Sequence, residues 1–335
     1  MKESIANLKA DTEEMSDFLK DSYVLTFKDK QSLELLDAEI IILNGSALDI
    51  LKSFRNNIQS IISISMLPIS MSFERSVKLM YDDIFRRENI LSLKFSPELA
   101  VSEEDIKLLP TQEEVKKKVN DTANEKFKEK IESQDGHIEF WFHSLLFLKQ
   151  CSNNGVMSND FLISSKELIN QAVLLTWSTL EILMRDLFVY TMNENPLLTK
   201  ALFEDNNLKS KFGIKSISTE KLIEYGFDLN DKMGTILIEN FDFSNLDLIK
   251  AIIACVFENA TLNSKLKEND IWYLYNRRNL IIHRGGIVDK KYLTKTGDSL
   301  LIGDKLFVKP SELKTYISKV IEIGLEVSRL KLNCA

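Results

Sequence analysis

Asp270-Ile271-Trp272-Tyr273-Leu274-Tyr275-Asn276-Arg277-Arg278-Asn279-Leu280-Ile281-Ile282-His283-Arg284-Gly285-Gly286 is the segment on which the reading of this chain turns. It has no helix breaker until the closing glycine pair, so it predicts an aromatic-rich helix that starts near Asp270. Gly285 or Gly286 can take the left-handed conformation that ends a helix without steric cost. Asn279 and His283 are four residues apart and share one face of that helix. Arg278 and His283 are five apart, which separates them by about 140° and about 7.5 Å of rise.

Outward from this helix the chain reads as mainly α. On the C-terminal side, Ser299-Leu300-Leu301-Ile302 and Lys305-Leu306-Phe307-Val308 flank Gly303-Asp304, the signal of a small β-hairpin. Pro310-Ser311 then introduces a final helix with Ile317, Val320, Ile321 and Leu325 on its apolar face. On the N-terminal side, Ser244 caps an amphipathic helix with Leu246, Ile249, Ile253, Val256 and Phe257. Shorter helices and loops fill 197–240. Ser164-Ser165-Lys166-Glu167 has the form of a capping box opening a long helix with Leu168, Ala172, Leu175, Ile182, Leu183 and Leu187 as its core stripe.

The turn-rich Ser152-Asn153-Asn154-Gly155 divides the chain into 1–152 and 153–335. The first part is expected to be mostly helical or α+β, and it matches no known pattern. A polar amphipathic helix covers residues 1 to about 20. The β-prone runs Tyr23–Phe27 and Glu39–Leu43 read as a small hairpin or a buried helix. A helix capped by Ser46 runs to about Ser65, with Pro68 closing that stretch, and another covers about Ser72 to Glu88. Thr111-Gln112-Glu113-Glu114 is a capping box before a solvated, Lys- and Glu-rich helix over Val115–Lys130. Asp135-Gly136 closes that helix, and an apolar one follows from His137 to about Cys151.

Composition limits the function classes. The chain has 335 residues, 11 Gly, 5 Pro and a net charge of −7, so any nucleic-acid contact must come from a local basic patch. Three separated cysteines lack metal-ligand spacing and fit reduced thiols in the cytoplasm. The apolar stretch near 172–192 carries Glu181, Arg185 and Asp186 and makes a poor membrane span. No phosphate-binding glycine loop, serine nucleophile elbow or zinc pattern is present, and neither a metal nor another cofactor is expected.

Chemistry concentrates on the motif helix. Histidine is suited to proton transfer near neutral pH, and the arginine fork holds phosphate oxygens while staying charged. Those are the groups needed when an RNA 2′-hydroxyl attacks the adjoining phosphate and the 5′-oxygen leaves. Asn279 can add a neutral hydrogen bond. Arg277, Arg284 and Lys290, with Lys291 beside it, supply the nearby positive charge for phosphate contacts. Glu181 either orients Arg278 as an ion pair or pairs with Arg185 four residues on. Trp272, Tyr273 and Tyr275 serve as core, dimer interface or base-stacking groups. Because Arg278 and His283 diverge around the helix, two copies facing across a two-fold axis would bring the groups together.

Arg278-Asn279-Leu280-Ile281-Ile282-His283-Arg284-Gly285-Gly286, on the last long helix before the C-terminal segment, resembles the HEPN superfamily. So does the earlier helix with Trp177-Ser178-Thr179-Leu180-Glu181-Ile182-Leu183, whose acidic residue matches a recurrent position of the first long HEPN helix. The resemblance spans about residues 160–335, and only the Arg-Asn-to-His-Gly-Gly segment is specific. It implies a C-terminal HEPN-like bundle acting as a homodimeric, metal-independent endoribonuclease, with Arg278, Asn279 and His283 in the motif positions. Such enzymes serve as toxins, antiphage effectors or RNA-processing factors, and a regulatory protein or antitoxin is an expected partner. HEPN toxins paired with nucleotidyltransferase antitoxins carry a Tyr two residues after the His. Here that position is Gly285, so the likeness does not extend to that branch. The alternative is a non-catalytic HEPN module that dimerises and binds RNA, a nucleotide or a protein. With the nuclease reading, residues 1–152 are expected to regulate or sense; a third reading makes the first half the effector and the HEPN-like half its scaffold.

Overall fold

The computed structural model describes residues 29–41, 45–92, 102, 110–153, 158–212, 217–239, 241–257 and 259–330. The fold is mainly α. Among the described residues, the segments in order are α1 (Asp29–Ile41), α2 (Gly45–Ser65), α3 (Leu67–Ser92), α4 (Gln112–Glu132), α5 (Gln134–Asn153), α6 (Ser158–Glu194), a 3₁₀ turn (Pro196–Leu198), α7 (Thr199–Glu204), α8 (Asn206–Phe212), α9 (Thr219–Glu224), α10 (Met233–Ile238), α11 (Leu246–Val256), α12 (Ala260–Leu266), α13 (Asn269–Arg284), α14 (Lys290–Thr296) and α15 (Pro310–Ser328). The described residues fall into two compact units, one within Leu67–Ser164 and the other within Lys20–Met66 and Ser165–Ala335. Packing is therefore not divided at 152/153. Helices α1 and α2 pack on α15, near the opposite end of the chain.

In the first unit, α3, α4 and α5 pack on one another. Buried serines allow close approach of α3 and α5: Ser72 Oγ donates to the Ser144 carbonyl at 3.1 Å, and the Ser76 and Ser144 hydroxyls lie 2.6 Å apart. The expected capping box opens α4, where Thr111 Oγ1 accepts from the Glu114 N–H and Glu114 accepts from the Thr111 N–H. Those bonds to Thr111 hold the Glu114 carboxyl below its ordinary range. Val119 and Ala123 are the buried residues of α4, as the charge-rich sequence predicts for a solvated helix.

Several expected breaks lie elsewhere. The stop after α4 is Ser133, and Gly136 sits in the first turn of α5, where an added Cβ would come within 1.7 Å of the Lys130 carbonyl. Pro68 sits in the first turn of α3, where its missing N–H removes no helical bond. The Ser164–Glu167 segment lies inside α6, because the helix already runs from Ser158.

The second unit carries the motif. Glu39–Ile41 belongs to α1, not to a strand, since Leu33, Leu36 and Ile40 at helical spacing are buried against its neighbours. The first helix expected over residues 1–20 and the Tyr23–Phe27 run lie outside the described residues, as do Ile42 and Leu43. On α6 the core stripe is Ile169, Ala172, Val173, Trp177, Leu180, Leu183, Met184, Leu187 and Phe188. Leu175 is exposed instead. Trp177 meets Tyr275 of α13 at 5.0 Å between ring centroids, and Phe188 meets Phe241 and Phe243 before α11. Asn245, one residue beyond the expected Ser244, caps α11 by accepting from the Asp247 and Leu248 amides. The final helix forms as expected from Pro310, with Ile317, Val320 and Ile321 fully buried.

The small hairpin does not form. Among the described residues, the only bridge joins Ile287 to Lys305. Gly303 donates to Val288, Val288 to Asp304, and Leu306 to Gly286, so 303–306 pairs with the chain leaving α13. Leu301 and Ile302 remain exposed, which removes the apolar partner that a 299–302 strand would need.

Candidate functional site

Helix α13 ends as its sequence predicts. Gly285 adopts φ 60°, ψ 24°, and its N–H, with that of Gly286, reaches the Leu280 carbonyl. His283 and Arg284 occupy the last turn, where positive charge favours the exposed carbonyl end of the helix. The motif lies beside a polar cleft of about 430 Å³, bordered by Arg278, Asn279, His283 and Arg284. Tyr275 and Asp242 also border it, as do Lys291 and Lys295 from α14. Arg278 and His283 thus share one cleft despite pointing apart around the helix, because it wraps the helix end.

Arg278 has little exposed side-chain surface and donates from Nη1 to Asn279 Oδ1 at 2.8 Å. Its Nη2 lies 3.8 Å from Glu181 Oε2, and its Nε has no partner. Of the two pairings open to Glu181, this is the one present. Arg185 turns instead to Asp186, with nitrogen–oxygen distances of 3.1 and 3.0 Å. With its oxygen accepting from Arg278, Asn279 has its amide NH₂ left as a donor. His283 is exposed.

Arg277, expected among the RNA contacts, points the other way and is buried. It sits 2.8 Å from Glu312 Oε1 and 3.6 Å from Asp298 Oδ2, between the rings of Tyr273 and Tyr316. Burial opposes its charge, but Tyr316, Glu312 and Tyr292 outweigh that and hold it firmly protonated. One residue of a helix turns by about 100°, which sends Arg277 inward and Arg278 to the cleft. Arg277 therefore does not border the cleft.

The same cluster anchors α14. Tyr292 is buried and donates to Asp298 at 2.8 Å, while Tyr273 donates to the Thr296 carbonyl at 3.0 Å. Burial first, then the bond to Asp298, pushes the Tyr292 phenol up to about 12. Asp289 caps α14 by accepting from the Tyr292 amide. Lys290, singled out from sequence, is exposed but does not border the cleft, whereas Lys291 and Lys295 do. The i, i+4 spacing of that pair was legible, but the side of α14 facing the cleft was not. Arg284 borders the cleft, 3.7 Å from Asp289.

Among the described residues, no group of three or more His, Cys, Asp or Glu side chains has metal-binding geometry. None of the described helices is long and apolar enough to cross a membrane. Comparisons with protein-family models, curated proteins and solved structures gave no match, so the chain is characterised by its own geometry.

Proposed function

We propose that this protein is a metal-independent endoribonuclease of HEPN type, acting as a homodimer with a composite site. The carrying observation is that Arg278, Asn279 and His283 border one polar cleft. Arg278 would hold the non-bridging oxygens of the scissile phosphate and Asn279 would donate its free amide hydrogens to them. The 2′-oxygen forms its bond to phosphorus as the bond from phosphorus to the 5′-oxygen breaks. One His283 takes the 2′-hydroxyl proton, and a protonated imidazole gives one to the leaving 5′-oxygen. In an in-line displacement the attacking 2′-oxygen and the leaving 5′-oxygen lie on opposite sides of phosphorus, so the imidazole of a second copy serves the oxygen that the first does not reach. The products are a 2′,3′-cyclic phosphate and a 5′-hydroxyl.

In this reading the protein is a toxin or antiphage defence effector, held in check by a regulatory protein or antitoxin. The decisive experiment incubates the full-length protein with single-stranded RNA in EDTA and identifies the ends formed. Cyclic-phosphate and 5′-hydroxyl ends that vanish in His283→Ala support the reading. A metal requirement, or full cleavage by that variant, overturns it.

One observation favours a second reading, a non-catalytic HEPN module. Arg278 is already engaged by Asn279 and faces Glu181, as a purely structural arginine would be. That module would bind RNA, a nucleotide or a protein and cut nothing. Growth arrest on expression, relieved by Arg278→Ala, separates the two.

A further inference from the structure

We propose that Lys291 and Lys295 form a second phosphate subsite, so that the cleft takes a single RNA strand with at least two successive phosphates. The inference rests on the reading of the cleft as an RNA site. It comes from the charge distribution around the cleft. Arg278 lies beside Glu181, and Arg284 lies 3.7 Å from Asp289. Neither lysine has a carboxylate within 4.0 Å among the described residues, and both border the cleft. The uncompensated permanent charge of the site therefore stands on α14, not on the motif helix.

Geometry suits a strand. Lys291 and Lys295 are four residues apart, which puts them on one face of α14 with about 6 Å of rise between them. Two ammonium groups so placed can follow a backbone passing from Arg278 towards the open side. Their base is rigid: Tyr292 is held by Asp298, the Thr296 carbonyl by Tyr273, and the helix start by Asp289. A rigid base limits the entropy lost when the strand is held. On the same cleft, the capped first turn of α11 presents the positive end of its dipole through Ser244 and Asn245. Asp242 is the opposing charge, with its carboxylate accepting from the Ser244 amide at 3.0 Å. Tyr275, packed against Trp177, also borders the cleft.

The test measures binding of 2′-O-methyl oligonucleotides, which lack the attacking hydroxyl, to the full-length protein over a range of salt. Each single-strand phosphate contact contributes about 0.7 to the slope of log K against log salt. Lys291→Gln with Lys295→Gln removes that one phosphate contact and should flatten the slope by about 0.7 for a hexanucleotide, and leave that of a one-phosphate dinucleotide unchanged. Lys209→Gln, which removes an exposed lysine away from the cleft, should change neither. An unchanged hexanucleotide slope in the double variant, or an equal loss in Lys209→Gln, overturns the subsite. Cleavable RNA distinguishes this from failure of the nuclease reading. Binding with the expected slope change but no cutting leaves the subsite standing and removes the nuclease. Cutting with an unchanged slope does the reverse.

Discussion

Arg277 and Arg278 are adjacent in sequence yet have opposite tasks: Arg277 is buried 2.8 Å from Glu312, while Arg278 borders the cleft and donates to Asn279. Arg277→Ala should destabilise the fold by about 2–4 kcal/mol, because it takes the cation from Glu312 and leaves a buried space between Tyr273 and Tyr316. Arg278→Ala should cost about 1 kcal/mol or less in stability and reduce cleavage by about 10²-fold or more. Urea denaturation of the two variants, alongside the cleavage assay, checks the contrast. Equal stability losses would mean that Arg278 is as structural as its neighbour.

His283 is exposed at the end of α13 and contacts little of the fold. Its replacement by Ala should leave stability within about 0.5 kcal/mol and lower cleavage by about 10²–10⁴-fold. Thermal denaturation and single-turnover cleavage measure the two effects. A large stability loss would assign the imidazole to the helix end instead.

Gly285 and Gly324 should respond to alanine for different reasons. At Gly285 the added Cβ meets nothing within 4 Å, so the cost of about 1 kcal/mol comes from its φ of +60° alone. At Gly324 the Cβ would come within 2.3 Å of Phe54 Cε1, where α15 packs on α2. That overpacking should cost about 1–3 kcal/mol, and Phe54→Leu in the same chain should recover part of it. Failure of the second substitution to help Gly324→Ala, measured by denaturation midpoints, would contradict the packing account.

Tyr292 ties stability to alkaline pH. Its phenol is raised from the ordinary 10.0 to about 12 in the folded state, chiefly by burial. The folded protein therefore binds this proton more tightly than the unfolded chain does. The associated stability is fully present below pH 10.0 and is lost as pH rises through about 12. Tyr316, raised for the same reason, adds to the loss. Melting temperature should fall more steeply between these limits in the natural protein than in Tyr292→Phe. Parallel curves would contradict the assignment.

Local chemistry made part of this molecule readable in advance. The glycine stop after Arg284, the capping box at Thr111 and the helix opened by Pro310 depend on the φ preferences and hydrogen-bonding groups of a few neighbouring residues. So did the shared face of Asn279 and His283. Tertiary packing decided the rest. Burial of Leu33, Leu36 and Ile40 within the second unit goes with a helix over Glu39–Ile41, and the chain after α13, not residues 299–302, took the backbone bonds of 303–306. Periodicity specifies the angle between neighbouring side chains but not which side becomes the interior. Only the packing of α13, α14 and α15 turned Arg277 inward, left Arg278 at the cleft, and exchanged Lys290 for Lys291 and Lys295 on its wall.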